Sequence, residues 1–195
     1  MKIILKALKI FLFFTIVTGV IYPLLVTGIA QMIFPSKANG SLIIENDKVI
    51  GSELIGQTFD SAYYFTSRPS AISYNPMPSG GSNLGLTNIK LKNLAEARKK
   101  KFIVFNGIDS NTIVPADMVF ASGSGIDPHI SPDAALLQIN RIVAKRNFSD
   151  TQKKELKSLI QKHTEAPQFG LLGEKRVNVL KLNLALDQME KMRAR

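Results

Sequence analysis

The chain contains no cysteine, which removes disulfide frameworks, thiolate metal sites, cysteine nucleophiles and lipid attachment through sulfur. Histidine is scarce. Only His129 and His163 occur, with no H-x-x-x-H or similar spacing, so a zinc site would need carboxylates to complete it and none is expected. No internal repeat is visible, and no long low-complexity tract of the kind that keeps a chain disordered. Acidic residues are the minority: 15 Asp and Glu stand against 25 Lys and Arg, a formal net charge of +10. Such a surplus points to anionic lipid head groups, an acidic protein or nucleic acid, and the compartment decides among them.

What is present is close to globular composition, 45% hydrophobic and 21% charged. A length of 195 residues suffices for one domain and a short anchor, and is too short for two independent cores of ordinary size.

The anchor is explicit. From Ile10 to Phe34 no residue carries a charge, with Lys2, Lys6 and Lys9 before the run and Lys37 after it. A helix crosses a bilayer with about 20 apolar residues. Backbone groups in lipid must pair internally, so the run should be helical, with the hydroxyls of Thr15, Thr18 and Thr27 bonding back to it. Pro23 inside the run removes a backbone donor and predicts a kink. Gly19 and Gly28 leave room for a neighbouring helix, and with Tyr22-Pro23 they favour packing within a larger membrane complex. Three lysines on the short side place Met1 in the cytoplasm by the positive-inside rule. The expected organisation is a cytoplasmic N-terminus over 1–9, a transmembrane helix over 10–34 and an extracytoplasmic soluble domain over 35–195. A cleaved signal peptide competes, because Ile10 to Val20 resembles an apolar core and Gly28-Ile29-Ala30 a cleavage site. The apolar run continues through Tyr22 to Val26, which favours retention.

In the soluble part, Lys37 to Gly40 reads as a linker. Leu42 to Ile44 and Lys48 to Ile50 read as a hairpin around Glu45-Asn46-Asp47. Gly51 to Phe59 and Tyr63 to Ser70 should be extended or looped, the second ending in Arg68-Pro69. The segment Tyr74 to Gly85, YNPMPSGGSNLG, is too rich in proline and glycine for a regular element. An amphipathic helix is expected over Ile89 to Phe102, with Arg98 to Lys101 on its polar face. Another is expected from Ser131, an N-cap followed by Pro132 and Asp133, to about Arg146. A third follows the Ser149 and Gln152 capping box, bearing Leu156, Leu159 and Ile160. Val177 to Leu186 fits strand or helix, with helix favoured by the residues that follow. The fold class expected is α+β, one N-terminal transmembrane helix followed by a single mixed α/β soluble domain.

Two constellations invite chemistry. Ser79, Gly80, Gly81, Ser82, Asn83 and Gly85 form a glycine-rich loop whose N–H groups can converge on an anion. It lacks the lysine and hydroxyl that complete a phosphate-binding loop, so a structural loop is the stronger reading. Ser122, Ser124, Asp127 and His129 suggest a serine hydrolase, yet the stretch reads A-S-G-S-G where a nucleophile elbow needs G-x-S-x-G. Asp127 before Pro128 fits an Asx turn, and His129 a cap for the next helix or a residue packed against it. Arg98 to Lys101 fits a solvated face, or one meeting acidic lipid or protein, better than nucleic acid. Tyr63 to Phe65 fit packing better than base stacking.

Taken in order, TGVIYPLLVTGIAQ, GSELIGQTF, YFTSRPS, YNPMPSGGSNLG, ASGSGIDPHISPDAALLQINRIVAKR and LLGEKRVNVLKLNLALD resemble the C-subunit family of the bacterial Kdp potassium-transporting ATPases. The resemblance covers nearly the whole chain. Lys175 stands where proline is expected after Glu174, and Thr66-Ser67 where bulkier or glycine-containing pairs are common. The resemblance implies a non-catalytic subunit in the bacterial cytoplasmic membrane, partnered by an ATP-hydrolysing subunit, a potassium-channel subunit and membrane lipid, with no nucleic acid. It implies a role in stabilising the assembly and in raising the ATP affinity of the hydrolysing subunit. Nucleotide binding in the family is assigned to a stretch like Ser79 to Gly85. Here no cofactor is expected to bind stably, and ATP enters through the complex. Tyr22, Pro23, Gly28, Asp127 and His129 are the candidate partner contacts. If the lysines place the domain outside, it does not meet cytoplasmic ATP: either the topology is reversed or the effect passes through the membrane subunits, and the second is favoured. Two alternatives stay in view, an anchored exported hydrolase using Ser124 and His129, and a basic surface protein binding lipid or wall polymer.

Overall fold

An uncharged apolar run has to close its backbone hydrogen bonds on itself, and the chain does so in one helical rod of 32 residues, Lys2–Ile33. The computed structural model describes residues 2–193, with the side chain of Arg193 excepted. Helix α1 (Lys2–Ile16) passes through a single π turn (Val17–Ile21) into α2 (Tyr22–Ile33). The helix already includes Lys2, Lys6 and Lys9, so the three lysines that flank the uncharged run ride on its first turns. In the π turn Tyr22 N–H donates to the Val17 carbonyl, one residue further back than in an α-helix. This wider turn sits where the ring of Pro23 would otherwise crowd the carbonyl four residues earlier. Thr15, Thr18 and Thr27 donate to the carbonyls of Phe11, Phe14 and Pro23 at 2.8, 2.7 and 2.7 Å, as the sequence predicts.

Phe34, at φ −133°, ends the rod, and Pro35 opens a one-turn helix, α3 (Pro35–Ala38), which takes up the first two residues of the expected Lys37 to Gly40 linker. Strands β1 (Leu42–Glu45) and β2 (Lys48–Ser52) form the expected antiparallel hairpin. Its turn is Asn46-Asp47, both at positive φ, the conformation tight hairpins need and these residues tolerate. The described residues form two compact units that divide between Ser52 and Glu53, so the hairpin groups with the rod.

In the second unit, α4 (Ile89–Asn106) starts at Asn88, whose side chain accepts from Lys90 N–H, and stops at the left-handed Gly107. It runs past the expected end at Phe102. Helix α5 (Pro132–Arg146) begins on the Ser131 cap, and α6 (Asp150–Lys162) on the complete Ser149 and Gln152 capping box. The ambiguous tail resolves into both options: β5 (Arg176–Asn178) and then α7 (Val179–Arg193). Asn178 makes the switch, because its side chain accepts from Lys181 N–H at 3.1 Å, an N-cap arrangement. Two strands of two residues, β3 (His129–Ile130) and β4 (Thr164–Glu165), flank β5 in an antiparallel sheet ordered β3-β5-β4. Ile130 and Thr164 both face Val177. Helix α5 packs on α4 and α6, and α6 on α7, around Phe65, Ile139, Ile142, Leu156, Val177 and Leu182. The class is α+β, as expected.

Candidate functional site

Between Glu53 and Asn88 the second unit has no helix or strand, so its buried backbone groups must find partners elsewhere. Side chains from α5 and α7 supply them. Asn183 Oδ1 accepts from Phe65 N–H at 2.8 Å, and its Nδ2 donates to Phe65 O at 2.9 Å. Gln138, fully buried, accepts from Thr66 N–H at 2.7 Å. Arg141 donates to the carbonyls of Ala62 and Tyr64, to Asn106 Oδ1 and to Gln138 Oε1. No carboxylate pairs with Arg141 among the described residues, and burial pushes its guanidinium down to about 10. It remains cationic at neutral pH, with its charge spread over oxygen acceptors and the Phe105 ring 4.6 Å away.

The extended segment so fixed carries Arg68 to the loop before β3. Arg68 Nη1 donates to Asp127 Oδ2 at 2.7 Å. Asp127 Oδ1 accepts from the backbone N–H of His129 at 3.0 Å, the expected Asx turn, and lies 3.1 Å from its ring Nδ1. Because a carboxylate only accepts, that contact places the ring proton on Nδ1. Burial raises the Asp127 carboxyl, but the bonds from His129 and the charge of Arg68 outweigh it and hold the carboxyl below its ordinary range. Tyr74 OH donates to Arg68 O at 2.6 Å, and burial of the phenol pushes it up to about 12.

The two loops are sewn together through main chain. Gly56 N–H donates to Ile126 O at 2.7 Å, Gly80 N–H to Ser124 O at 3.0 Å, and Ser70 Oγ to Gly125 O at 2.6 Å. Gly125 sits at φ +71°, and a Cβ there would meet Gly80 O at 2.6 Å. This apposition occupies part of the glycine-rich stretch Ser79 to Gly85: the Gly80 N–H is already committed, and Gly81 abuts the Gly123 carbonyl. Ser82 and Asn83 are exposed, Asn83 at φ 52°, and the Gly85 carbonyl accepts from Asn88 N–H. None of these residues lines the cleft beside α4 or the shallow cleft around Ala121 to Ser124.

The hydrolase alternative loses its geometry. Ser124 Oγ accepts from Ile126 N–H at 3.3 Å and Ser122 Oγ from Gly125 N–H at 2.9 Å, while the His129 ring is held on Asp127. No hydrogen bond joins Ser124 to His129 among the described residues. A nucleophile without a base in contact is not activated, and the reading is withdrawn. Of the other candidates, Asp127 and His129 come together with Arg68, whereas Tyr22, Pro23 and Gly28 lie in the first unit, exposed on the rod. A Cβ at Gly28 meets nothing within 4 Å. Arg68 and Arg141 are not marked by any local spacing, since their partners lie far away in sequence, whereas Tyr74 bonds within six residues, to Arg68 and Ser70.

Comparison with known proteins matches residues 4–188 to the family model described as KdpC, the c chain of the K+-transporting ATPase. Among similar proteins, the potassium-transporting ATPase KdpC subunit of Methylococcus capsulatus is 51% identical over 187 residues, 94% of this chain and 96% of that one. The subunit of the same name from Dechloromonas aromatica is 46% identical over 195 residues, 98% of this chain and all of that one. That of Mycobacterium tuberculosis H37Rv is 46% identical over 188 residues, covering 95% and 98%.

Proposed function

The chain belongs to the KdpC family, the c chain of K+-transporting ATPases, and on that premise we propose that it is the non-catalytic accessory subunit of a bacterial ATP-driven potassium uptake complex. The observation that carries this reading is the span of the match: it includes the apolar rod as well as the folded unit. The rod buries none of its own residues, so every side chain on it is available to lipid or to another helix. An apolar surface of that extent has no stable place in water.

In this reading the rod crosses the cytoplasmic membrane with Lys2, Lys6 and Lys9 inside, and the folded unit lies outside. The subunit stabilises the assembly and raises the ATP affinity of the hydrolysing subunit without touching ATP. Such coupling requires only contacts made better in one pump state than another, worth roughly 1 to 3 kcal/mol. Tyr22, Pro23 and the open surface at Gly28 are the positions on the rod best suited to make them, and Asp127 and His129 are their counterparts on the folded unit.

The test uses the absence of cysteine. A single Lys100→Cys, exposed on α4, is treated with an impermeant thiol reagent in intact cells, and the tagged chain is then isolated from the membrane. Labelling without permeabilisation, together with co-isolation of the ATP-hydrolysing and channel subunits, is the expected result. Protection until permeabilisation would reverse the topology and return the domain to the nucleotide's side. In the same system Gly28→Leu is expected to reduce complex yield or raise the ATP requirement, and unchanged values of both would sink the coupling through the rod.

A further inference from the structure

A cleft of about 470 Å³ opens between α4 and the irregular segment running from Thr58 to Tyr74. Its α4 wall is a single helical stripe, Arg98, Lys101, Phe102 and Phe105, residues spaced three, four and seven apart and therefore on one face. The sequence treats Arg98 and Lys101 as ordinary solvated cations. The structure treats Arg98 differently. It is half-buried, its guanidinium donates to Val119 O at 3.2 Å, and no carboxylate pairs with it among the described residues. Burial accordingly pushes its guanidinium down, which marks a charge whose desolvation one carbonyl offsets only in part and no carboxylate among the described residues offsets. Lys101 has no carboxylate partner among the described residues either. Arg68 stands on the opposite wall with its Nε–H buried and unbonded, and the one carboxylate at the cleft, Asp60, is exposed.

We propose that this cleft receives a carboxylate-bearing segment of a partner subunit, with Arg98 and Lys101 as the charged anchor and Phe105 as the apolar wall. The pairing of cation and aromatic along one stripe is what selects a peptide. A phosphate head group or free oxyanion is satisfied by the cations alone, whereas Asp or Glu beside an apolar residue uses both kinds of surface. The proposal rests on the reading of the chain as an accessory subunit, and it deepens that reading by placing a contact outside the apolar rod. Removing the anchor leaves the partner's carboxylate unpaired, so affinity should fall by at least roughly tenfold.

The experiment places the photo-crosslinking residue p-benzoylphenylalanine at Thr58, an exposed cleft position, in the full chain within native membranes. Irradiation should give an adduct with another subunit, and its yield should drop about tenfold in the R98Q/K101Q double variant. Lys101→Gln alone guards against misfolding, because Lys101 is exposed and makes no contact whose loss would unfold the helix; it should lower the yield in the same direction. Adducts with lipid only, no adduct, or a protein adduct insensitive to both variants would overturn the proposal. Co-isolation of the unmodified chain with its partners is scored separately. If it fails, the accessory-subunit reading falls; if it succeeds without the crosslink, only the cleft assignment falls.

Discussion

Asn183 on α7 holds both backbone polar groups of Phe65 through one side-chain amide, across 118 positions of sequence. It does for the irregular segment what a neighbouring strand does in a sheet, satisfying an N–H and a C=O that Phe65, fully buried, cannot offer to water. Asn183→Ala should therefore cost about 2 to 4 kcal/mol, the penalty for two orphaned buried groups. Denaturant unfolding of the detergent-solubilised chain measures it, and a loss below about 1 kcal/mol would mean that the segment is held by packing alone.

Arg141 is the second brace. Arg141→Met keeps much of the volume but strands the carbonyls of Ala62 and Tyr64 and the side chain of Asn106, so a loss of roughly 3 kcal/mol or more is expected. Arg141→Lys should recover little, because an ammonium lacks the planar fork that reaches several acceptors at once. Full recovery by lysine in the same unfolding assay would show that charge, and not geometry, is what the site requires.

Asp127 sets an acid limit. Its folded pKa lies below its ordinary value of 3.8, so the folded state binds fewer protons there than the unfolded one. The stabilisation is complete at neutral pH and is lost as pH falls through about 4 and on towards the depressed folded value. Asp127→Asn should be less stable at pH 7 and should flatten this part of the acid limb. Parallel stability profiles of the two proteins from pH 6 to pH 2 would argue that neither the His129 bonds nor the Arg68 pair stabilises the charged carboxylate.

Gly125→Ala tests the seam between the loops. The left-handed backbone costs a non-glycine residue about 1 kcal/mol or more, and the added carbon would press on Ile72 and the Gly80 carbonyl. Gly80→Ala is the matched control, since a Cβ there meets nothing within 4 Å. Limited proteolysis should cut the first variant faster between residues 70 and 85 and leave the second unchanged. Equal cutting of both would mean that the seam is not held at Gly125.

The elements that announced themselves in sequence are those with local causes. The Ser131 and Ser149 caps, the Asn46-Asp47 turn and the Thr hydroxyls of the rod each depend on residues within four positions, and each appears where the spacing puts it. The stop at Gly107 and the Asn178 cap were local too, yet they were obscured by apolar residues that suit strand and helix equally. What the sequence hides is the pairing that spans the chain. Nothing near Arg68 reveals Asp127, nothing near Phe65 reveals Asn183, and the strands β3 and β4 are too short to carry any periodicity. Arg98 is the sharpest instance: among lysines on a polar face it reads as solvated, and only the fold shows it half-buried and without a counter-charge among the described residues.

The π turn at Val17–Ile21 has a consequence of phase. A π turn accommodates one residue more than the α-helical turn it replaces, which rotates α1 by about 100° against α2 relative to an unbroken rod. A stripe along Tyr22 to Ile33 is therefore not the continuation of the stripe along Lys2 to Ile16. A single crossing segment can in this way turn one side to one companion in one leaflet and a different side to another in the second, and a deletion of one residue between Val17 and Ile21 would bring both sides into line.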